Sequence, residues 1–132
     1  MMFLLDTNAA SALIKGHNLK IRNNFNFADK ASVAISVISE AELRYGIAKN
    51  HAALRLQKIV TEFLNGIQIL PWGSAQAIVY ADLRAEMLRR GKVLSELDSL
   101  IAAHALSTNS TLVTADKAFS MVPNLKTVNW EV

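Results

Sequence analysis

Four acidic residues, far apart in the chain, stand where strands are expected to end or helices to begin: Asp6, Glu42, Asp98 and Asp116. Asp6 follows Phe3-Leu4-Leu5 without a break, which sets a charge directly against an apolar run. Glu42 falls in the first turn of the helix expected after VAISV (33–37), Asp98 opens the helix leading into the last apolar run, and Asp116 comes two residues after Leu112-Val113-Thr114. Carboxylates gathered in one pocket repel one another, and some take up protons unless a cation neutralises them. Ligation by Asp and Glu oxygens alone suits Mg²⁺ or Mn²⁺, hard ions that keep several waters for substrate phosphates to replace. Such an ion lowers the pKa of a bound water and clamps a scissile phosphate.

Capping explains any one of these acids more simply. Ser39-Glu40-Ala41-Glu42 fits a helix capping box, as does Ser95-Glu96-Leu97-Asp98. Asp6 and Asp116 can each serve as an N-cap, worth about 1 kcal/mol. Four caps meeting on one rim is harder to explain by local structure alone. Glu40 and Glu42 lie roughly 200° apart on a helix, so only one of them faces a common pocket. Glu96 and Asp98 pose the same choice, and spacing leaves both pairs open.

The elements that must position these acids alternate along the chain. Short apolar runs at 2–5, 33–37, 67–70, 111–114 and 126–129 read as strands, and 9–15, 40–49, 51–65, 74–90 and 97–106 read as helices. Gly91 stops the fourth helix. Strands apolar throughout and separated by helices imply a parallel sheet covered on both faces, an α/β/α sandwich. In such a sheet, ligands gather beyond the carboxyl ends of the strands, which is where the four acids are expected.

A chain of 132 residues, 52% hydrophobic and 19% charged, is expected to form one domain with a packed core. It contains no cysteine, which excludes a disulfide scaffold and thiolate-held zinc and fits a reducing cytoplasm. No apolar run approaches the roughly 18 residues needed to cross a bilayer, so a soluble, cytoplasmic protein without a membrane partner is expected. The net charge of +3 favours polyanionic partners mildly, and only Arg89, Arg90 and Lys92 cluster.

At this point the chain resembles a known family. MFLLDTN at the start, SVISEAELRYG in the second unit, LRAEMLRRGKVLSELDSLIAAHAL in the middle and LVTADKAFSMVPNLKTVNW at the end together resemble VapC-type PIN-domain ribonuclease toxins, in order and over nearly the whole chain. The resemblance implies a PIN-like three-layer α/β/α sandwich with a parallel sheet of about five strands. It implies Asp6, Glu42, Asp98 and Asp116 as the active site, choosing Glu42 over Glu40 and Asp98 over Glu96. The implied activity is Mg²⁺- or Mn²⁺-dependent endoribonuclease cleavage of translation RNAs, often tRNA, that arrests growth. Implied partners are a VapB-like antitoxin whose tail lies across the catalytic groove, a second copy in a homodimer, a larger toxin–antitoxin assembly, and promoter DNA reached only through the antitoxin. Ser95-Glu96 departs from the proline or small residue common before the Asp98 motif, and Glu96 is expected to face solvent.

On this reading Asp6 and Asp98 are direct metal ligands, Asp116 ligates directly or through water, and Glu42 ligates a second ion or orients the attacking water. Thr7, Asn8 and Thr114 would hold carboxylates or metal waters from behind. In-line attack would leave a 5′-phosphate and a 3′-hydroxyl. Lys15, Arg44 and Lys117 are candidates for RNA phosphates, although solvated surface charge explains each equally well. Arg84 and Glu86 suggest an interhelical ion pair or a dimer contact. His104 reads as a core histidine bonded to backbone, and Trp72, Tyr80, Phe119 and Trp130 as core or interface. A receiver-like phospho-acceptor domain would need an aspartate ending the third strand, where this chain has Ile-Leu-Pro-Trp. A haloacid-dehalogenase-type phosphatase would need Asp at position 8, which is Asn. A non-cleaving PIN-type binding domain is the remaining alternative, and the intact acidic quartet argues against it.

Overall fold

The computed structural model describes residues 2–132. Its five strands are β1 (Phe3–Leu5), β2 (Val33–Ser36), β3 (Gln68–Leu70), β4 (Thr111–Val113) and β5 (Thr127–Val128). They form one parallel sheet in the order β3-β2-β1-β4-β5, with β1 at the centre. The helices are α1 (Thr7–Lys15), α2 (Leu19–Phe27), α3 (Val37–Ala48), α4 (Leu54–Gly66), α5 (Ser74–Arg89) and α6 (Glu96–Ser107).

Side-chain alternation along the central strands builds the layers. Leu4, Ala34 and Leu112 point to one face and meet Leu83, Met87, Ile101 and Phe119, from α5, α6 and the 3₁₀ turn Lys117–Met121. Leu5, Val33, Ile35 and Val113 point to the other, against Ala9, Ile21, Leu43, Val60 and Leu64 of α1 to α4. Both faces of the sheet are thus buried, which is why the strand sequences show no polar alternation. The expected α/β/α sandwich is observed.

The element boundaries differ in instructive places. Ser36 ends β2 and its hydroxyl accepts the Ile38 amide at 3.0 Å, so α3 begins at Val37, three residues before the expected start. The helix α2 was not legible as one: Asn23, Asn24 and Asn26 are poor helix formers, and burial of Ile21 together with the Asn18 cap holds it. Beyond α5, Gly91 takes a φ of +65° and the chain closes the helix with Lys92 N–H donating to the Met87 carbonyl. Among the described residues, no helix is long and apolar enough to cross a membrane.

Candidate active site

The sheet register sets the site. Leu5 pairs with Ile35 on one side and Val113 on the other, so Asp6, Ser36 and Thr114 emerge abreast at the carboxyl edge. The strand order reverses about β1, and the crevice between β1 and β4 is the switch point where open α/β sheets bind ligands.

Asp6 stands at that crevice, only 5% exposed. Its amide donates to the Val113 carbonyl at 3.0 Å. One carboxylate oxygen, Oδ1, accepts the Ala9 amide at 2.7 Å, and the other, Oδ2, accepts the Thr114 hydroxyl at 2.6 Å. Thr114 Oγ1 in turn accepts the Asp116 amide at 3.0 Å, and Asp116 Oδ1 accepts the Ala118 amide at 2.9 Å. Asp6 and Asp116 are therefore helix caps and rim acids at once.

On the other side of Asp6, Thr7 reaches α3. Its hydroxyl donates to Glu42 Oε1 at 2.6 Å and lies 2.9 Å from Ser39 Oγ. The capping box expected at Ser39 is not formed, because Ser36 already caps the helix and Ser39 is buried in its first turn. Glu40 turns away and pairs with Arg44 at 2.9 Å, which engages one of the three cations considered for RNA phosphates. Of the two glutamates, Glu42 is the one joined to the rim.

Asp98 lies in the first turn of α6, its amide held by the Ser95 hydroxyl at 3.1 Å. The cap uses the amide and not the carboxylate. Glu96 is exposed, as expected. Burial pushes the Asp6 carboxyl above its ordinary value; the bonds from Thr114 and Ala9 oppose that shift, while the charges of Asp98 and Glu131 add to it. Glu131 was not anticipated. The tail is returned to the rim by Trp130, whose ring lies 5.0 Å from Phe3, and by Asn18 Nδ2 donating to the Glu131 carbonyl at 3.2 Å. The residues Trp-Glu-Val at the end of the chain carry no local signal for this contact.

The expectation that all four acids share one cavity needs correction. Glu42 and Thr7 line a recess of about 670 Å³ with Ile38, Tyr45, Leu97 and Leu100, whereas Thr114 and Asp116 line another of about 310 Å³ with Lys117 and Asn129. Among the described residues, no three His, Cys, Asp or Glu side chains converge closely enough to hold a metal ion. Each of three acids is drawn to its own partner: Asp6 to Thr114, Glu42 to Thr7, Asp116 to Ala118. The donor set still suits a hard cation in kind, with carboxylate and hydroxyl oxygens and no thiolate on the rim. Burial beside Asp98 and Glu131 makes the Asp6 charge costly, and a cation is what would relieve it.

Several residues outside the quartet behave differently from expectation. His104 is fully buried, but Nδ1 meets the Ser36 hydroxyl at 2.7 Å and not a backbone group. Its Nε2 lacks a partner of good geometry; burial holds the imidazole below its ordinary pKa, and the nearby Pro71 carbonyl opposes this weakly. Glu86 pairs within its own helix, with Arg89 at 2.6 Å and Arg90 at 3.0 Å, and Arg84 donates to the Tyr80 hydroxyl at 2.8 Å. The interhelical ion pair is thus not formed. Phe119 and Trp130 are buried, and Trp72 and Tyr80 pack half-buried at the edge of the core.

The sequence profile of the PIN domain matches residues 3–125. The chain is similar to Ribonuclease VapC2 of Rickettsia felis, 35% identical over 133 residues and covering 99% of each. It is also similar to the tRNA(fMet)-specific endonuclease VapC of Shigella flexneri, 31% identical over 131 residues and 98% of each. Among solved structures it resembles VapBC2 of Rickettsia felis bound to a promoter DNA fragment, with TM-score 0.92, 34% identity and coverage of 98% of this chain and 99% of that one. It likewise resembles the DNA-bound VapBC of Salmonella typhimurium, with TM-score 0.92, 32% identity and 98% coverage of both.

Proposed function

Because the chain belongs to the PIN-domain family and, within it, to the VapC ribonucleases, we propose that it is a toxin that hydrolyses RNA phosphodiester bonds with Asp6, Glu42, Asp98 and Asp116 around Mg²⁺ or Mn²⁺. The observation that carries this reading is the bridged rim. Thr114 joins Asp6 to Asp116, Thr7 joins the same turn to Glu42, and the Asp98 charge bears on Asp6, all at the sheet's switch point.

Asp6 and Asp98 are the residues that would hold the ion most directly, with Asp116 and Glu42 beside them. A hard divalent cation bound there would neutralise charge on the scissile phosphate and acidify a water. The protein's own part is to fix the donors. Thr114 locks the Asp6 carboxylate to β4, Thr7 locks Glu42 to α1, and the Ala9 amide holds Asp6 against its own helix. Asn8 is exposed next to these groups and available to substrate or to a metal water.

The substrate class we assign is RNA of the translation machinery, with tRNA first, following the tRNA-specific endonuclease to which the chain is similar. We also assign a VapB-like antitoxin as its inhibitor, homodimer formation, and promoter binding through the antitoxin alone. The solved VapBC relatives, one bound to a fragment of its promoter and the other to DNA, support the VapB-like partner and the promoter contact. So does the recess beside Glu42, where Tyr45 (65% exposed) and Leu97 (47%) leave an apolar opening for a partner segment.

The test is incubation of purified protein with bulk tRNA and Mn²⁺ or Mg²⁺, with and without EDTA. Cleavage that needs the ion and disappears in Asp6→Asn and Asp98→Asn is expected. Metal-dependent cleavage retained in either variant would remove the assignment.

A further inference from the structure

The helix α1 presents two polar faces, and only one serves the acidic rim. Thr7 is engaged by Ser39 and Glu42. Asn8, Ser11 and Lys15 follow at helical spacing, and His17 continues their line past the end of α1. Among the described residues, none of these four side chains makes a hydrogen bond or ion pair with the protein, whereas the adjacent Asn18 spends its amide on Ile21 and Glu131. Asn8, Ser11 and Lys15 line both the 670 Å³ recess beside Glu42 and a second recess of about 260 Å³ that His17 closes. The two recesses thus share these three side chains as a common wall along α1. From Asn8 to Lys15 the stripe runs about 10 Å at the rise of an α-helix, beginning two residues from Asp6.

We propose that this stripe is a substrate-holding track, in which Lys15 and His17 bind an RNA phosphate away from the scissile one and Asn8 and Ser11 hydrogen-bond the sugar or base between. The proposal rests on the ribonuclease reading above and adds residues to it. Free donors beside a carboxylate rim fit a polyanion: the rim repels phosphates until a cation is bound, and a flanking ammonium offsets that repulsion. Among the described residues the Lys15 ammonium makes no ion pair or hydrogen bond, so it is free to meet a phosphate. The loop that carries His17 is held in place, since Gly16 takes a φ of +74° and its carbonyl accepts from Arg22 at 3.3 Å. That Gly16 conformation is one that side chains rarely adopt, and an added Cβ would meet the Arg22 guanidinium at 2.8 Å.

The experiment measures binding of bulk tRNA to the intact chain carrying Asp98→Asn, so that the RNA is not consumed, across a salt series. Lys15→Ala is expected to raise Kd about tenfold and to lower the log–log salt slope by about 0.7 to 0.9, the loss of one phosphate contact. Asn8→Ala is expected to raise Kd with the slope unchanged. Lys126→Ala removes the same charge at the opposite, amino-terminal end of β5 and is expected to change neither. Unaltered Kd and slope in Lys15→Ala, with matched thermal melts, overturns the track. So does a Lys15→Ala protein that binds tRNA normally but loses a co-purified protein inhibitor, since the stripe would then face a protein. Cleavage of tRNA by the wild-type chain is measured alongside: its absence defeats the ribonuclease reading itself, whereas cleavage with unaltered variant binding defeats the track alone.

Discussion

The Thr114 hydroxyl donates to Asp6 Oδ2 across 2.6 Å and accepts the Asp116 amide at 3.0 Å, so one side chain ties together the ends of two strands and the start of a 3₁₀ turn. Thr114 is 6% exposed and Asp6 5%, so water does not compete well for either bond. Replacing it with valine keeps the shape and removes both interactions. Thr114→Val is expected to lower divalent-ion affinity and kcat/KM by roughly 10- to 100-fold, the usual scale for losing a group behind a metal ligand. Thr114→Ser is expected to restore most of both. Calorimetric titration with Mn²⁺ checks the first, and an equal affinity in the valine protein would refute the link.

Asp6 makes an opposite prediction for stability. Its carboxyl is raised by burial and by the Asp98 and Glu131 charges. The folded chain therefore holds that proton more tightly than the unfolded chain, and stability falls as pH climbs from the ordinary Asp value through the folded one. At neutral pH the metal-free protein carries this cost. Asp6→Asn is expected to raise its Tm by a few degrees, about what 1 kcal/mol does in a domain of this size, while abolishing cleavage. The gain should vanish near pH 3, and added Mn²⁺ should stabilise the wild type but not the variant. A lower Tm for Asp6→Asn in EDTA at pH 7 would contradict it.

Thr7 is the corresponding lever on Glu42. In Thr7→Val the bond to Glu42 Oε1 and the contact with Ser39 are both lost, leaving the buried Ser39 hydroxyl short of a partner. A destabilisation of about 1–2 kcal/mol is expected by urea unfolding, with kcat falling more than KM rises. Thr7→Ser is expected to recover activity. If valine at this position cleaved RNA at the wild-type rate, Glu42 would not depend on this tether.

His104 predicts a separate pH response. Burial depresses its pKa from the ordinary 6.5, so the unfolded chain takes up this proton before the folded one does. Its contribution to stability is complete above about pH 6.5 and is lost as pH falls toward the depressed folded value. Melting curves between pH 7.5 and 5 are expected to show that decline. His104→Leu is expected to be less stable at pH 7.5, because the buried Ser36 hydroxyl keeps the Ile38 amide but loses the imidazole, yet flatter over the same interval. An equal slope in the leucine protein would show that other groups titrate there.

Much of this architecture was legible in the residues. Leu4 and Leu5, Ala34 and Ile35, and Leu112 and Val113 are fully apolar pairs whose neighbours face opposite layers, so a strand buried on both sides was the only economical reading. Asp6 directly after such a strand marked the carboxyl edge of the sheet, where its amide meets the Val113 carbonyl. The helix starts were less legible, because a serine in a first turn and a serine at a cap look alike: Ser36 took the role that Ser39 seemed to fit, and only packing against Thr7 distinguishes them.

By itself, then, the chain determined its strands, most of its helices, the carboxyl edge that Asp6 and Asp116 reach, and the family to which it belongs. Those follow from hydrophobic period and from residues adjacent in the chain. Only the tertiary structure decided partners: Asp6 with Thr114, 108 residues away; Glu42 with Thr7 while Glu40 takes Arg44; and the tail that brings Glu131 to bear on Asp6. Hydrogen bonds and charge repulsion act over a few ångströms in space, whatever the separation in sequence. Which oxygen meets which hydroxyl is therefore set by sheet register and helix docking, and neither is written in any single segment.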